Sequence, residues 1–136
     1  MLRKSVLLVV DDQGFLKAVT SLLTDYDVRT ATSGAEALAS MSTSKPDLVV
    51  LDVIGHASEE LDMLWKLKGN PDTRAIPVVV LTAVEAVHDT GPTSSGTKGL
   101  PCERHLRKPL SPYVLCEAVE ELLATKGRTR SAGQSG

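Results

Sequence analysis

The sequence lacks a strong net charge, a metal-binding cysteine cluster and a long uninterrupted hydrophobic run. Its formal charge of −2 and its pI near 5.9 give no general attraction to nucleic acid or to anionic membranes. Its two cysteines, Cys102 and Cys116, occur in no CxxC pattern, which favours reduced thiols over a zinc site. Acidic residues interrupt the first apolar run too early for a signal peptide or a membrane span. We therefore expect a cytoplasmic protein that binds neither nucleic acid nor membrane directly.

The length of the chain suits a single domain. With 136 residues, of which 42% are hydrophobic, it can form one core and is too short for two comfortable domains. We predict one domain over residues 1–126 and a flexible C-terminal tail over residues 127–136, because the sequence GRTRSAGQSG has Ala132 as its one apolar residue. Since no second domain fits after Lys126, we expect no DNA-binding output domain in this chain.

Short apolar runs alternate with helical patterns along the chain. The runs are rich in valine, which favours strands over helices for segments of this length. Between them, apolar residues recur every three or four positions, which is the spacing of an amphipathic helix. This alternation predicts a five-stranded parallel, doubly wound α/β sheet. The predicted strands are residues 6–10, 28–31, 48–51, 78–81 and a segment around Leu106.

The last predicted helix has signals at both ends. Ser111 can cap its first turn, and Pro112 suits the first helical position. An apolar stripe follows, and Gly127 is of the residue type that commonly ends a helix. We therefore predict a helix that begins near Pro112 and ends at Gly127.

Polar residues follow four of the predicted strands. Asp11 and Asp12 come after the first strand, Asp52 after the third, Thr82 after the fourth and Lys108 after the fifth. In a doubly wound sheet the ligand site lies beyond the carboxyl ends of the strands, so these side chains are expected at one edge. Neighbouring carboxylates repel each other unless a cation or a hydrogen-bond donor lies between them. The sequence therefore predicts a binding site at this edge.

This set of side chains suits phosphoryl transfer. Three carboxylates form a hard-oxygen site for Mg²⁺ or Mn²⁺, while the ammonium group of Lys108 and the hydroxyl group of Thr82 can bind phosphoryl oxygens. Asp52 is the candidate nucleophile, since a carboxylate can itself form an acyl phosphate. The sequence has no glycine-rich nucleotide loop, so we expect a phosphoryl donor other than ATP bound by this chain.

The order of these motifs resembles that of a response regulator receiver domain of two-component signalling. The matching segments are VVDDQ, SGAEAL, PDLVVLDV, IPVVVLTA and RKP, and they fall within residues 5–126. The resemblance implies that Asp52 accepts a phosphoryl group from a sensor histidine kinase or a histidine phosphotransfer protein, and that a downstream protein partner responds. It also implies that Asp11, Asp12, Asp52 and the backbone carbonyl of Ile54 hold Mg²⁺.

The same resemblance implies a conformational switch. Thr82 and Lys108 are implied to bind the phosphoryl group, and Thr82 is implied to act with residue 105, where the family has Tyr or Phe and this chain has His105. Residues 88–103 contain three glycines and two prolines, which oppose a helix. The helix that the family places between the fourth and fifth strands is therefore predicted to be short or replaced by a loop, mobile before phosphorylation.

Two other functions and one structural role stay open at this point. The paired aspartates can simply cap the next helix. A Mg²⁺-dependent hydrolase of small phosphate esters could use Asp52 as its nucleophile, although position 54 holds Ile instead of the second acid that such chemistry needs. A pseudo-receiver only binds a partner, but its usual sign is loss of the acids or the lysine, and all of them are present here.

Overall fold

The structure, a computed structural model, describes residues 3–53, 59–82 and 102–132. It contains a five-stranded parallel sheet in the order β2-β1-β3-β4-β5, which confirms the predicted fold. The strands are β1 (Ser5–Val9), β2 (Asp27–Ala31), β3 (Leu48–Val53), β4 (Val78–Thr82) and β5 (Arg104–Arg107). Four helices accompany them within these residues: α1 (Gln13–Leu22), α2 (Gly34–Thr43), α3 (Glu59–Gly69) and α4 (Pro112–Ala132).

The three central strands are buried on both faces, as their unbroken valine and leucine runs predict. Every residue of β3 and β4 is buried, and so is every residue of β1 after Ser5. The register places Val6 beside Leu48 and Val49 beside Val78, so the carboxyl ends of these strands meet at one edge. The outer strands β2 and β5 are less buried, and their sequences, DVRTA and RHLR, are more polar.

Helices cover both faces of the sheet and form two cores. Helices α1 and α4 pack on the face that carries Val50, where Val19 is fully buried. Helices α2 and α3 pack on the opposite face, which carries Leu51, and there Leu64 is fully buried. Because successive side chains of a strand point to opposite faces, each residue at a strand end can be assigned to one of these two sides.

Side-chain caps fix where α1 and α2 begin. Asp12 precedes α1, and its Oδ1 atom accepts a hydrogen bond of 3.1 Å from the backbone N–H of Phe15. Ser33 caps α2 in the same way by accepting from the N–H of Glu36 at 3.1 Å. The Glu36 carboxylate in turn accepts from the backbone N–H and hydroxyl group of Thr32, and these bonds lower its pKa. The two capping residues therefore set the helix starts.

A network at the amino end of the sheet joins α3 to the start of β5. The Nζ atom of Lys68 donates to the carbonyl oxygens of Arg74 (3.0 Å) and Ile76 (2.8 Å) and contacts both carboxylate oxygens of Glu103 at 3.0 Å. Glu103 also accepts from the backbone N–H of Val78 at 2.7 Å. We call these five residues the Lys68 clasp. It holds the starts of β4 and β5 in register.

The last helix is longer than predicted. Helix α4 continues to Ala132, so the prediction that it ends at Gly127 is wrong, whereas the flexible tail over residues 127–136 stays a prediction. One glycine costs only about 1 kcal/mol in a helix interior, and the lysine and arginine residues around it favour helix. The domain boundary at residue 126 stays a prediction.

Some predictions concern residues that the structure does not describe. The predicted metal ligand Ile54 lies outside the described residues, and so does most of the segment expected to be a mobile loop, residues 88–101. In the three described ranges, no helix is long and apolar enough to cross a membrane.

Candidate functional site

Asp52 is a buried carboxylate near the carboxyl end of a core strand. It is the fifth residue of β3 and is 7% exposed, with the buried residues Leu51 and Val53 on either side. Strand alternation places its side chain on the face of the sheet that α1 and α4 cover. Burying a carboxylate costs several kcal/mol unless the charge meets a cation or hydrogen-bond donors. Asp52 therefore requires a charged or polar partner.

Lys108 supplies that partner. Its Nζ atom is 2.7 Å from Asp52 Oδ1, and its side chain is 33% exposed. The backbone N–H of Lys108 donates to the carbonyl oxygen of Thr82 at 2.8 Å, and the peptide bond to Pro109 is cis. The contact is an ion pair without the angles of a hydrogen bond, since the buried Oδ1 atom of Asp52 has no hydrogen-bond partner among the described residues. Lys108 therefore balances the negative charge of Asp52, while the Oδ1 atom has no hydrogen bond among the described residues.

Thr82 and His105 form a second contact at the same edge. Thr82 ends β4 and is buried, and its Oγ1 atom is 2.6 Å from Nε2 of the half-buried His105. The register pairs His105 with Val80, and strand alternation puts both side chains on the face that α2 and α3 cover. Burial, and then the nearby cation of Arg107, lower the pKa of His105. The two residues of the predicted switch are therefore in direct contact.

Asp11 and Asp12 lie after β1 and are exposed. The capping role considered for this pair holds for Asp12, whose Oδ1 atom binds the N–H of Phe15. Within the described part of the chain, no group of three Asp, Glu, His or Cys side chains lies close enough to hold a metal ion. One oxygen of Asp12 binds α1 and one oxygen of Asp52 faces Lys108, and joint metal binding by Asp11, Asp12 and Asp52 stays a prediction.

The donor set nevertheless fits a hard divalent cation. The exposed carboxylates of Asp11 and Asp12 and the Oδ1 atom of Asp52, which has no hydrogen bond in the described residues, are donors of the type that Mg²⁺ and Mn²⁺ prefer. Mg²⁺ usually keeps several water ligands and takes one or two carboxylates from the protein. A preassembled group of three carboxylates is therefore not a requirement for binding it.

The groups at this edge can bind and transfer a phosphoryl group. The carboxylate of Asp52 can act as a nucleophile, the ammonium group of Lys108 can bind an anionic oxygen as a point charge, and the hydroxyl group of Thr82 can donate one hydrogen bond. Such fixed charges and donors stabilise the negative charge of a transferring phosphoryl group. The geometry is consistent with the chemistry expected from the strand-end residues.

Sequence reasoning named the residues that meet at this edge and missed the Lys68 clasp at the other end of β5. Lys68 and Glu103 are 35 residues apart and belong to no recognisable motif. A lysine with an 11% exposed side chain is visible only in the folded structure. The clasp matters to the site because it holds the start of β5, the strand that contains His105 and leads to Lys108.

Comparison with known proteins places the chain in a family. A family model described as the response regulator receiver domain matches residues 6–120. The transcriptional regulatory protein TcrX of Mycobacterium tuberculosis is 35% identical over 128 residues, which cover 90% of this chain and 51% of TcrX. The chain therefore spans about half the length of that curated relative.

Solved structures agree with this assignment. A response regulator from Chloroflexus aurantiacus has a TM-score of 0.73 and 27% identity, over 90% of this chain and 98% of that one. The Mn²⁺-bound form of response regulator Rcp1 has a TM-score of 0.68 and 25% identity, over 88% of this chain and 91% of that one. Phosphorylation and Mg²⁺ are general features of this family, whose members are signalling domains rather than classical enzymes. The chain belongs to the response regulator receiver domains of two-component signal transduction.

Proposed function

We propose that Asp52 accepts a phosphoryl group from a phosphohistidine of a sensor histidine kinase or of a histidine phosphotransfer protein. A carboxylate oxygen of Asp52 attacks phosphorus, an O–P bond forms as the N–P bond breaks, and the imidazole nitrogen leaves with the electron pair. One observation carries this proposal: the buried Asp52 Oδ1 atom lies 2.7 Å from Lys108 Nζ and has no hydrogen bond among the described residues.

The metal site belongs to the same proposal. Asp11, Asp12, Asp52 and the carbonyl of Ile54 would hold a divalent cation, Mg²⁺ or Mn²⁺, which would supply positive charge to balance the phosphoryl oxygens. The exposed position of the first two carboxylates beside the carboxyl edge supports this assignment. The Oδ1 atom of Asp12 holds α1, which leaves its Oδ2 atom as the oxygen available to a cation.

Lys108 and Thr82 then bind the product. Lys108 exchanges its contact with the Asp52 carboxylate for one with a phosphoryl oxygen, because the new group carries more negative charge than the carboxylate it replaces. Thr82 donates its hydroxyl hydrogen to another phosphoryl oxygen. These changes alter the surface at this edge of the domain, and a downstream protein partner responds to the altered surface. The same residues assist both phosphorylation and dephosphorylation of Asp52.

Mass spectrometry with a small phosphodonor tests the proposal. In acetyl phosphate and Mg²⁺ the wild type is expected to gain one phosphoryl group on Asp52, as acetate leaves. Asp52→Asn removes the nucleophile and should remain unlabelled. The matched control Asp62→Asn, which changes an exposed carboxylate of α3, should be labelled like the wild type. Labelling of Asp52→Asn, or full labelling of the wild type in chelator, contradicts the proposal.

The same experiment separates the two other functions. A small-molecule phosphohydrolase releases inorganic phosphate continuously from many phosphate esters, whereas the proposed function gives one phosphoryl group per chain and no turnover of esters. A pseudo-receiver that only binds a partner gives no labelling with any donor. Continuous release of phosphate therefore identifies a phosphohydrolase, and absence of labelling identifies a pseudo-receiver.

A further inference from the structure

The hydroxyl group of Thr82 has one hydrogen, and in this structure its oxygen is 2.6 Å from Nε2 of His105. A neutral imidazole carries one N–H, so Nε2 is either an acceptor or a donor. If Nε2 accepts, the Thr82 hydrogen points at His105 and cannot be donated elsewhere. If Nε2 donates, Thr82 Oγ1 accepts and the hydroxyl hydrogen is free. The placement of hydrogen on the His105 ring, which protonation fixes by supplying an N–H at both ring nitrogens, therefore decides what Thr82 can donate to.

The positions of the Thr82–His105 and Asp52–Lys108 pairs explain why the role of Nε2, as donor or acceptor, matters. Thr82 and His105 lie on the face covered by α2 and α3, whereas Asp52 and Lys108 lie on the face covered by α1 and α4. To reach a phosphoryl oxygen on Asp52, the Thr82 hydrogen has to point across the edge of the sheet and away from His105. Thr82 can do so and still keep its contact with His105 only when Nε2 is the donor.

We propose that His105 is a positioning residue whose protonation turns it into a donor to Thr82 and thereby directs the Thr82 hydroxyl hydrogen to the phosphoryl group on Asp52. This inference rests on the proposed function and adds a regulatory property to it. Protonated His105 donates from both ring nitrogens, whereas the neutral ring must place its single hydrogen on Nε2. Acid conditions therefore favour the phosphorylated form.

The surroundings of His105 support this coupling. Within the described ranges, β4 carries no titratable side chain, and the carboxylate of Glu103, which immediately precedes β5, is already paired with Lys68 of α3. Burial opposes protonation of His105 and lowers its pKa, and the cation of Arg107, two residues later, opposes it further. Since a phosphoryl group adds negative charge nearby, phosphorylation of Asp52 should raise the pKa of His105. By reciprocity, protonation of His105 stabilises the phosphorylated protein relative to the unphosphorylated protein to the same extent.

The test compares labelling of Asp52 by acetyl phosphate and Mg²⁺ across a pH series in the wild type and in His105→Gln, whose amide does not titrate. The ratio of the two rates cancels the pH dependence of the donor. We expect this ratio to rise about fivefold from pH 8 to pH 5.5, the difference between a charged and a neutral hydrogen bond. Thr82→Ser, which keeps the hydroxyl group, should retain the dependence, and Thr82→Val should lose it.

Proton NMR titration of the His105 ring in the wild type provides a second measurement, should a variant fail to fold. Its pKa is expected to be higher in protein phosphorylated on Asp52 than in unphosphorylated protein. Absence of phosphate on Asp52 overturns the proposed function together with this inference. Phosphate on Asp52 with a constant rate ratio, or with an unchanged or lower His105 pKa, overturns this inference and leaves the proposed function standing.

Discussion

Lys108 reaches Asp52 across an intervening strand. Asp52 lies in β3 and Lys108 follows β5, so the 2.7 Å contact between Nζ and Oδ1 passes over the end of β4, where Thr82 lies. The ion pair thus connects the carboxyl ends of β3 and β5 across the end of β4. Because Asp52 is buried and Lys108 is partly exposed, the lysine is the partner with more freedom to move when a phosphoryl group arrives.

The first prediction concerns Lys108→Met, which removes the cation and leaves a buried carboxylate without a counter-charge. We expect the free energy of unfolding to fall by about 2 kcal/mol at neutral pH, as measured by urea denaturation. The matched control Arg104→Met breaks the exposed pair with Glu121 and should cost less than about 1 kcal/mol.

A double-mutant cycle isolates the Asp52–Lys108 interaction from other effects of these substitutions. Asp52→Asn together with Lys108→Met removes both charges, so the double variant should be more stable than the sum of the single changes predicts. Equal costs for Lys108→Met and Arg104→Met, or simple additivity in the cycle, would show that the pair contributes little to stability.

The second prediction concerns Mg²⁺ binding to the unphosphorylated protein. A ligand that binds only the folded state adds about 1.4 kcal/mol at ten times its Kd, so Mg²⁺ should raise the melting temperature of the wild type. Asp11→Asn should abolish the rise. Asp12→Asn should abolish it as well, although asparagine keeps the cap on α1. Differential scanning fluorimetry over a Mg²⁺ series measures both effects, and an unchanged rise in either variant contradicts the assignment of that ligand.

The third prediction is a loss of stability in mild acid that depends on His105. Burial and Arg107 lower the pKa of His105 in the folded protein below its ordinary value of 6.5, so the unfolded chain binds the proton more readily. Stability therefore falls as the pH drops below about 6.5, since the unfolded state takes up more protons. Over this range the free energy of unfolding, measured in urea, should therefore fall more in the wild type than in His105→Gln. A constant difference would indicate an ordinary His105 pKa.

The fourth prediction concerns the Lys68 clasp. Lys68→Met keeps the aliphatic stem but removes an ammonium group that binds two carbonyl oxygens and the Glu103 carboxylate. We expect the free energy of unfolding to fall by about 2 kcal/mol. Lys66→Met, two positions earlier on α3 and exposed, should change it by less than about 0.5 kcal/mol. Similar changes in the free energy of unfolding for the two variants would show that the Lys68 clasp contributes little to stability.

Much of this architecture was predictable because the strands are buried on both faces. Runs such as VLLV and VVVL have no polar alternation, so they indicate a parallel sheet, and that topology places all strand ends carrying Asp52, Thr82 and Lys108 at one edge. The family resemblance added the pairing of Thr82 with His105, which spacing alone does not indicate. The structure then brought these two side chains into contact.

Other features were not predictable because they depend on competition between partners. Two roles were considered for Asp12, as a metal ligand and as a helix cap. The sequence alone does not show that its Oδ1 atom accepts a hydrogen bond from the N–H of Phe15. Asp52 was expected as a metal ligand and phosphoacceptor, and the sequence does not show that its Oδ1 atom faces Lys108. The end of α4 depends on the small difference between the cost of Gly127 and the helix preference of its neighbours.

The polar outer strands also affect how copies of this chain behave toward one another. The central runs of β1, β3 and β4 combine high strand propensity with no charge over four or more residues, a composition typical of segments that form intermolecular sheets. In the folded protein these runs are internal, and the outermost strands carry charged residues instead: Asp27 and Arg29 in β2, and Arg104 and Arg107 in β5. Charged edge strands discourage edge-to-edge pairing, so these charged residues also protect a valine-rich sheet from self-association and aggregation.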